Sequence, residues 1–135
     1  MSMFASPRFL PRVLWADAVS CLASGAAQLA APGALSALLG LPQPLLVGTG
    51  LFLVAYGALV AWMASRATPP RRLVALCAVG NVGWATGCAA VAALLSPTAW
   101  GLGWLAAQGA CVLVLADLQW LGLRATARAG RLSPA

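Results

Sequence analysis

The sequence predicts an all-α integral membrane protein: a four-helix bundle with a short interfacial half-helix between its first two spans. Three observations carry that prediction. Of 135 residues, 62% are hydrophobic and 7% charged, whereas a soluble domain needs about a quarter of its residues charged to cover its surface. Four apolar stretches are each long enough to cross a bilayer. All eight basic residues are arginines, gathered in three short clusters at the ends of those stretches.

The chain reads as one domain over 1–135. Residues 1–11, with Ser6, Pro7, Arg8 and Pro11, read as a short, weakly ordered lead. Positive residues ahead of an apolar run also open secretory signal peptides. Here the run is about twenty residues, holds Asp17 and lacks a convincing small-x-small cleavage site before Pro32, which predicts a retained span.

The first span covers about 12–31 and ends before Pro32-Gly33, strong helix punctuation. Residues 34–41, bracketed by Pro32 and Pro42, are too short to cross but apolar enough to lie in the interface as a half-helix. The second span runs from about 45 to 65, stopping at Arg66, and the Thr68-Pro69-Pro70 turn follows. The third covers about 71–95. Ser96-Pro97-Thr98 makes a tight turn, and the fourth covers about 99–123 before an Arg-rich tail.

Arg8 and Arg12, then Arg66, Arg71 and Arg72, then Arg124, Arg128 and Arg131 all fall at one end of this arrangement. The connections at the other end carry no charge. The positive-inside rule therefore predicts both termini in the cytoplasm. Trp15, Trp62 and Trp120 fall near the inner boundary and Trp100 and Trp104 near the outer one, as an aromatic belt places them. A net charge of +6 could suggest nucleic acid, but no aromatic-interleaved basic face exists for stacking bases. The expected partners are the lipid bilayer and either further copies of the chain or another membrane protein, with no nucleic acid.

Polar residues inside the spans carry the rest. Asp17, Ser20, Cys21, Ser24, Gly25 and Gln28 recur at spacings of three and four, so they share one helix face. An acid on that face must point into a protein interior or a wet cavity. Asn81 lies near mid-membrane in the third span, where Gly83-x-x-x-Gly87 is a small-xxx-small pattern for close helix packing. In the fourth span Gln108 and Gln119 share a face.

Depth pairs these residues. Gln28 and Gln108 are each sixteen residues from Arg12 and Arg124, roughly 24 Å in. Asp17 and Gln119 are each five residues from the same arginines, roughly 7–8 Å in. The first and fourth spans run antiparallel, so Gln28 is expected to face Gln108 and Asp17 to face Gln119. Asp117 lies on the opposite face from Gln108 and Gln119, with Arg124 two turns on as its expected local partner. Convergence of Asp17 and Asp117 on one site is the alternative.

The inventory argues against an enzyme: there is no His, Lys or Glu, and no nucleophile lies beside a base. No CxxC pair occurs, and Cys21, Cys77, Cys88 and Cys111 each sit within an apolar run as small hydrophobes. No cofactor and no metal site is expected. The leading expectation is a non-enzymatic accessory or structural subunit with a small polar interior. The alternative is a small proton-coupled transporter, with Asp17 as the protonatable site and Ser24, Gln28, Asn81, Gln108 and Gln119 along its path.

Ala16-Asp17-Ala18, the run Leu38-Leu39-Gly40-Leu41-Pro42, Asn81 with Trp84, and Leu118-Gln119 with Leu121 and Arg124 together span nearly the whole chain. On these residues the chain resembles small four-span bacterial inner-membrane proteins for which no activity is established. That resemblance implies a topology and no chemistry. Four short spans with one acid in the first also resemble, superficially, the small multidrug resistance exporters, which use a carboxylate in their first helix. Here the acid is Asp rather than Glu and lies nearer the boundary. The aromatic signature of that family's second helix is not recognisable around Tyr56 and Trp62, so none of its functional residues is carried over.

Overall fold

A computed structural model describes residues 3–132. The chain forms five α-helices in order: α1 (Phe9–Ala30), α2 (Pro32–Leu39), α3 (Gln43–Ala64), α4 (Arg71–Leu94) and α5 (Ala99–Leu132). A single 3₁₀ turn, Met3–Ala5, precedes them, and no strand occurs among the described residues. Helices α1, α3, α4 and α5 are each long and apolar enough to cross a membrane, with mean hydropathy from 1.3 to 2.0. The multi-pass reading therefore holds, and α2 is the short element between the first two spans.

Helix boundaries differ from the expected ones where local chemistry tolerates more than the punctuation suggests. α1 starts at Phe9 with Pro11 inside its first turn, where a missing N–H costs no helical hydrogen bond. The lead is thus partly folded: Phe4 meets Phe9 edge-on at 5.1 Å between ring centroids, and only residues 1–2 of it lie outside the described part. α2 starts on Pro32 itself, since Pro suits the first helical position. It stops where Gly40 turns left-handed at φ 64° and returns its N–H to the Ser36 carbonyl. At the other end of the chain α5 runs on to Leu132, so the expected tail is helical as far as the description reaches; 133–135 lie outside it. The Arg71 guanidinium holds that extension, donating to Thr126 Oγ1 at 2.5 Å and to the Leu123 carbonyl at 2.7 Å.

The spans assemble as two close antiparallel pairs, α1 with α3 and α4 with α5, joined along α1 and α5. Glycines set the first pair. A Cβ on Gly25 would lie 2.9 Å from the Gly50 carbonyl oxygen, and one on Gly57 would lie 2.8 Å from the Leu22 side chain. Gly83 and Gly87, the expected packing face, do the opposite: a Cβ on either would meet nothing within 4 Å. No Cα of α3 comes within 8 Å of a Cα of α4, so that side of the bundle is open at backbone level.

Two apolar clusters close the ends. At the end carrying the termini, Leu10, Leu14, Val60, Met63, Val74 and Leu123 pack together. At the other end Leu39 and Leu41 plug the bundle against Leu46, Cys88 and Leu105. The Thr98 backbone N–H and hydroxyl donate to the Leu39 and Leu38 carbonyls at 3.1 and 2.7 Å, tying α2 to the start of α5. Outward faces carry Val19, Leu51, Leu76, Val79 and Val114, each well exposed, as a lipid-facing surface requires. Arginines lean over tryptophans at the termini end: Arg66 over Trp62 at 4.5 Å and Arg124 over Trp120 at 5.5 Å.

Candidate functional site

Asp17 is completely buried on α1, and side chains from all four spans reach it. Gln119 Nε2 on α5 donates to Asp17 Oδ2 at 2.6 Å, and Asn81 Nδ2 on α4 donates to the same oxygen at 3.0 Å. The Tyr56 hydroxyl on α3 lies 3.5 Å from Asp17 Oδ2 and equally far from Asn81 Oδ1, with one proton to give to either. Cys21 Sγ, one turn along α1, donates to Oδ1 at 3.5 Å. Asn81 Nδ2 also reaches Gln119 Oε1 at 3.4 Å, which ties the two amides to each other.

The neighbours of Asp17 are donors, and its carboxyl oxygens accept. No arginine takes part, and no ion pair occurs among the described residues. Hydrogen bonds from neutral groups are therefore what compensate the buried acid. No buried side-chain nitrogen or oxygen in the described chain lacks a partner. Chemically the arrangement is a saturated polar knot. No group of three His, Cys, Asp or Glu side chains that could hold a metal ion occurs among the described residues.

Asp17, Asn81 and Gln119, each expected in the polar interior, thus meet at one point. The upper pair does not. Gln28 is buried and its Oε1 accepts from Thr49 Oγ1 on α3 at 2.8 Å. Gln108 Oε1 accepts from Trp84 Nε1 on α4 at 3.0 Å. The two glutamines do not bond each other, because each finds a donor on its closer neighbour helix. They do line one crevice of about 440 Å³ that opens sideways between α3 and α4. Leu41 and Leu45 lie at its α2 end, and Phe52 and Trp84 lie stacked, 5.8 Å apart, on its wall.

Ser24 makes no hydrogen bond to either group but lines a smaller recess of about 220 Å³ with Ser20, Cys21, Trp84, Trp104 and Gln108. The Ser20 hydroxyl donates to the Asp17 backbone carbonyl at 2.9 Å, as serines in transmembrane helices commonly do. Asp117 is exposed on the outside of α5, in a groove with Val79, Val82 and Trp120. It makes no contact with Arg124, whose guanidinium is over Trp120 instead, and it shares no site with Asp17.

Sequence reasoning missed Tyr56 and Thr49, and the donor roles of Trp84 and Cys21. Tyr56 lies ten residues from Arg66 and Asn81 nine from Arg72, so equal depth would have paired them. The chain matches no known protein family, no curated protein and no solved structure.

Proposed function

We propose that the protein is a non-enzymatic accessory subunit of the bacterial inner membrane, with both termini cytoplasmic, whose polar interior holds four spans in one register. One observation carries the reading: all four spans meet at the Asp17 carboxylate, which is fully buried and surrounded by donors. A proton-coupled site needs a carboxylate that reaches water from both sides in turn. Apolar clusters flank Asp17 towards each end of the bundle. The arginine-rich end, with Arg8, Arg12, Arg66, Arg71, Arg124 and Arg128, supports the cytoplasmic placement.

A second reading keeps one specific observation. A void of about 50 Å³ lies beside Tyr56, Asn81 and Cys21 and shares Phe52, Gly80 and Trp84 with the lateral crevice. Widened, it would connect Asp17 to that crevice, as a small proton-coupled transporter requires.

The test is proton flux into liposomes that hold the purified chain and a pH-sensitive dye, with and without ethidium as a probe cation. The accessory reading expects wild type and Asp17→Asn to show the same slow leak. Flux that appears with wild type and vanishes in Asp17→Asn would overturn it in favour of the transporter.

A further inference from the structure

A primary amide buried in a bilayer needs partners for its oxygen and for its N–H bonds, because lipid tails offer none. Gln28 and Gln108 are both incompletely supplied. The Trp84 indole N–H donates to Gln108 Oε1; the Thr49 hydroxyl lies 2.8 Å from Gln28 Oε1 and shares its single proton with the Leu45 carbonyl at 2.7 Å. In both glutamines, Nε2 donates to no described residue. Gln28 is 2% exposed, yet no fully occluded side-chain nitrogen lacks a partner. Its Nε2 is therefore open to the space it lines, which is the crevice. The Gln28 N–H donors thus border an apolar cavity, and Gln108, half-buried, lines that cavity as well as the recess beside Ser24.

We propose that the α3–α4 crevice binds one acyl lipid, its chain lying along the glycine edge of α4 and its ester carbonyls accepting from Gln28 and Gln108. Entry is lateral, because the backbones of α3 and α4 stay apart while Leu39 and Leu41 plug the α2 end. Depth agrees. The two carboxamides lie roughly 24 Å from the arginine boundary of a core about 30 Å thick. They therefore sit just inside the opposite boundary, next to where the ester groups of that leaflet lie.

Shape selects a chain over a ring. Phe52 stacks on Trp84 at 5.8 Å and on Tyr56 at 6.0 Å, so these aromatic faces are spent on one another rather than offered to a planar ligand. Gly80, Gly83 and Gly87 recur along two turns of α4 with nothing within 4 Å of their missing Cβ atoms. That leaves a shallow linear track. The volume of about 440 Å³ falls in the range of small-molecule sites. This inference does not depend on the role of Asp17, which lies on the termini side of Phe52 and Trp84.

The experiment uses the full chain in phosphatidylethanolamine–phosphatidylglycerol nanodiscs containing a trace of phosphatidylethanolamine with a diazirine in one acyl chain. After irradiation, labelled residues are mapped by peptide mass spectrometry. Labelling at Phe52, Gly83 and Val91 is expected to exceed that at the outward Val114. Gly83→Leu, which fills the track and leaves the carboxamides in place, is expected to abolish the excess. Gln28→Leu with Gln108→Leu, which removes two hydrogen bonds of bilayer strength, is expected to lower it about tenfold. Retained melting behaviour shows that each variant is folded. Crevice labelling equal to that at Val114, or indifferent to both sets of variants, would overturn the proposal. So would displacement of the label by decylubiquinone but not by unlabelled phosphatidylethanolamine.

Discussion

Gln119 on the last span donates a 2.6 Å hydrogen bond to Asp17 on the first, across more of the chain than any other side-chain hydrogen bond in the described residues. Both residues are fully buried. Asn81 joins them from the third span and Tyr56 from the second, so helices that are distant in sequence are fixed by one carboxylate. Hydrogen bonds between transmembrane helices contribute only about 0.6–2 kcal/mol each. Their effect here is to select one register among many apolar packings of similar energy.

Removing the acceptor should therefore cost more than removing any one donor. Asp17→Ala strands the Asn81 and Gln119 amides in a dry interior and is expected to destabilise the bundle by about 2–4 kcal/mol. A double-mutant cycle with Gln119→Ala should give a coupling of about 1–2 kcal/mol. Asp117→Asn, on the outer face of α5, should stay within about 0.5 kcal/mol of wild type. Unfolding in mixed micelles measures all of these, and an Asp17→Ala variant as stable as wild type would remove the knot from the argument.

The two sets of glycines should respond in opposite directions to one methyl group. Gly25→Ala drives a Cβ onto the Gly50 carbonyl, a backbone atom that cannot swing aside. Overpacking of this kind costs about 1–3 kcal/mol. Gly83→Ala meets nothing, and replacing a mid-helix glycine should gain about 0.5–1 kcal/mol. Melting temperatures in one detergent decide the pair: Gly25→Ala should fall and Gly83→Ala should rise.

Much of this is readable in the sequence, and the departures have physical causes. Hydropathy placed the four spans because lipid tolerates no other composition. Equal distance from Arg12 and Arg124 placed Asp17 opposite Gln119, since an antiparallel pair has one free parameter and the boundary arginines set it. The same reasoning put Gln28 level with Gln108, but level is not adjacent. Gly25 and Gly50 draw α1 so close to α3 that Thr49 reaches Gln28 first. A small-xxx-small pattern shows that close approach is allowed and not which helix makes it, so Gly83 and Gly87 were assigned to a contact the chain makes through Gly25, Gly50 and Gly57 instead. Tyr56 is not found this way because depth is compared only between the first and fourth spans, and Tyr56 pairs with Asn81 between the second and third.

The orientation proposed from the arginines is open to direct measurement. Ala67 lies exposed in the turn between α3 and α4, and Gly33 lies exposed on α2 at the opposite end. The native cysteines all sit within spans, so wild type itself serves as the unlabelled background. In intact spheroplasts a membrane-impermeant maleimide should label Gly33→Cys and spare Ala67→Cys, while lysed membranes should label both. The reverse pattern would place the termini outside and set the positive-inside rule aside for this chain.

Thr98 offers the last prediction, because one side chain performs two tasks at the end opposite the termini. Its hydroxyl oxygen accepts from the Gly101 N–H at 3.1 Å, capping the first turn of α5. The same hydroxyl donates to the Leu38 carbonyl at 2.7 Å, holding the C-terminal turn of α2. Close packing reinforces the tie, since a Cβ on Gly101 would overlap the Leu39 carbonyl oxygen. Thr98→Val keeps the shape and removes both hydroxyl bonds, at a cost of about 1 kcal/mol for the cap alone. The backbone bond from Thr98 N–H to Leu39 survives, so α2 should loosen rather than detach. Hydrogen exchange should quicken over 34–40 and at the start of α5, and stay unchanged around Asn81. Thr98→Ser restores the hydroxyl and should restore protection. If α2 exchanges no faster in Thr98→Val, the plug is held by Leu39 and Leu41 packing alone, and the hydroxyl serves only α5.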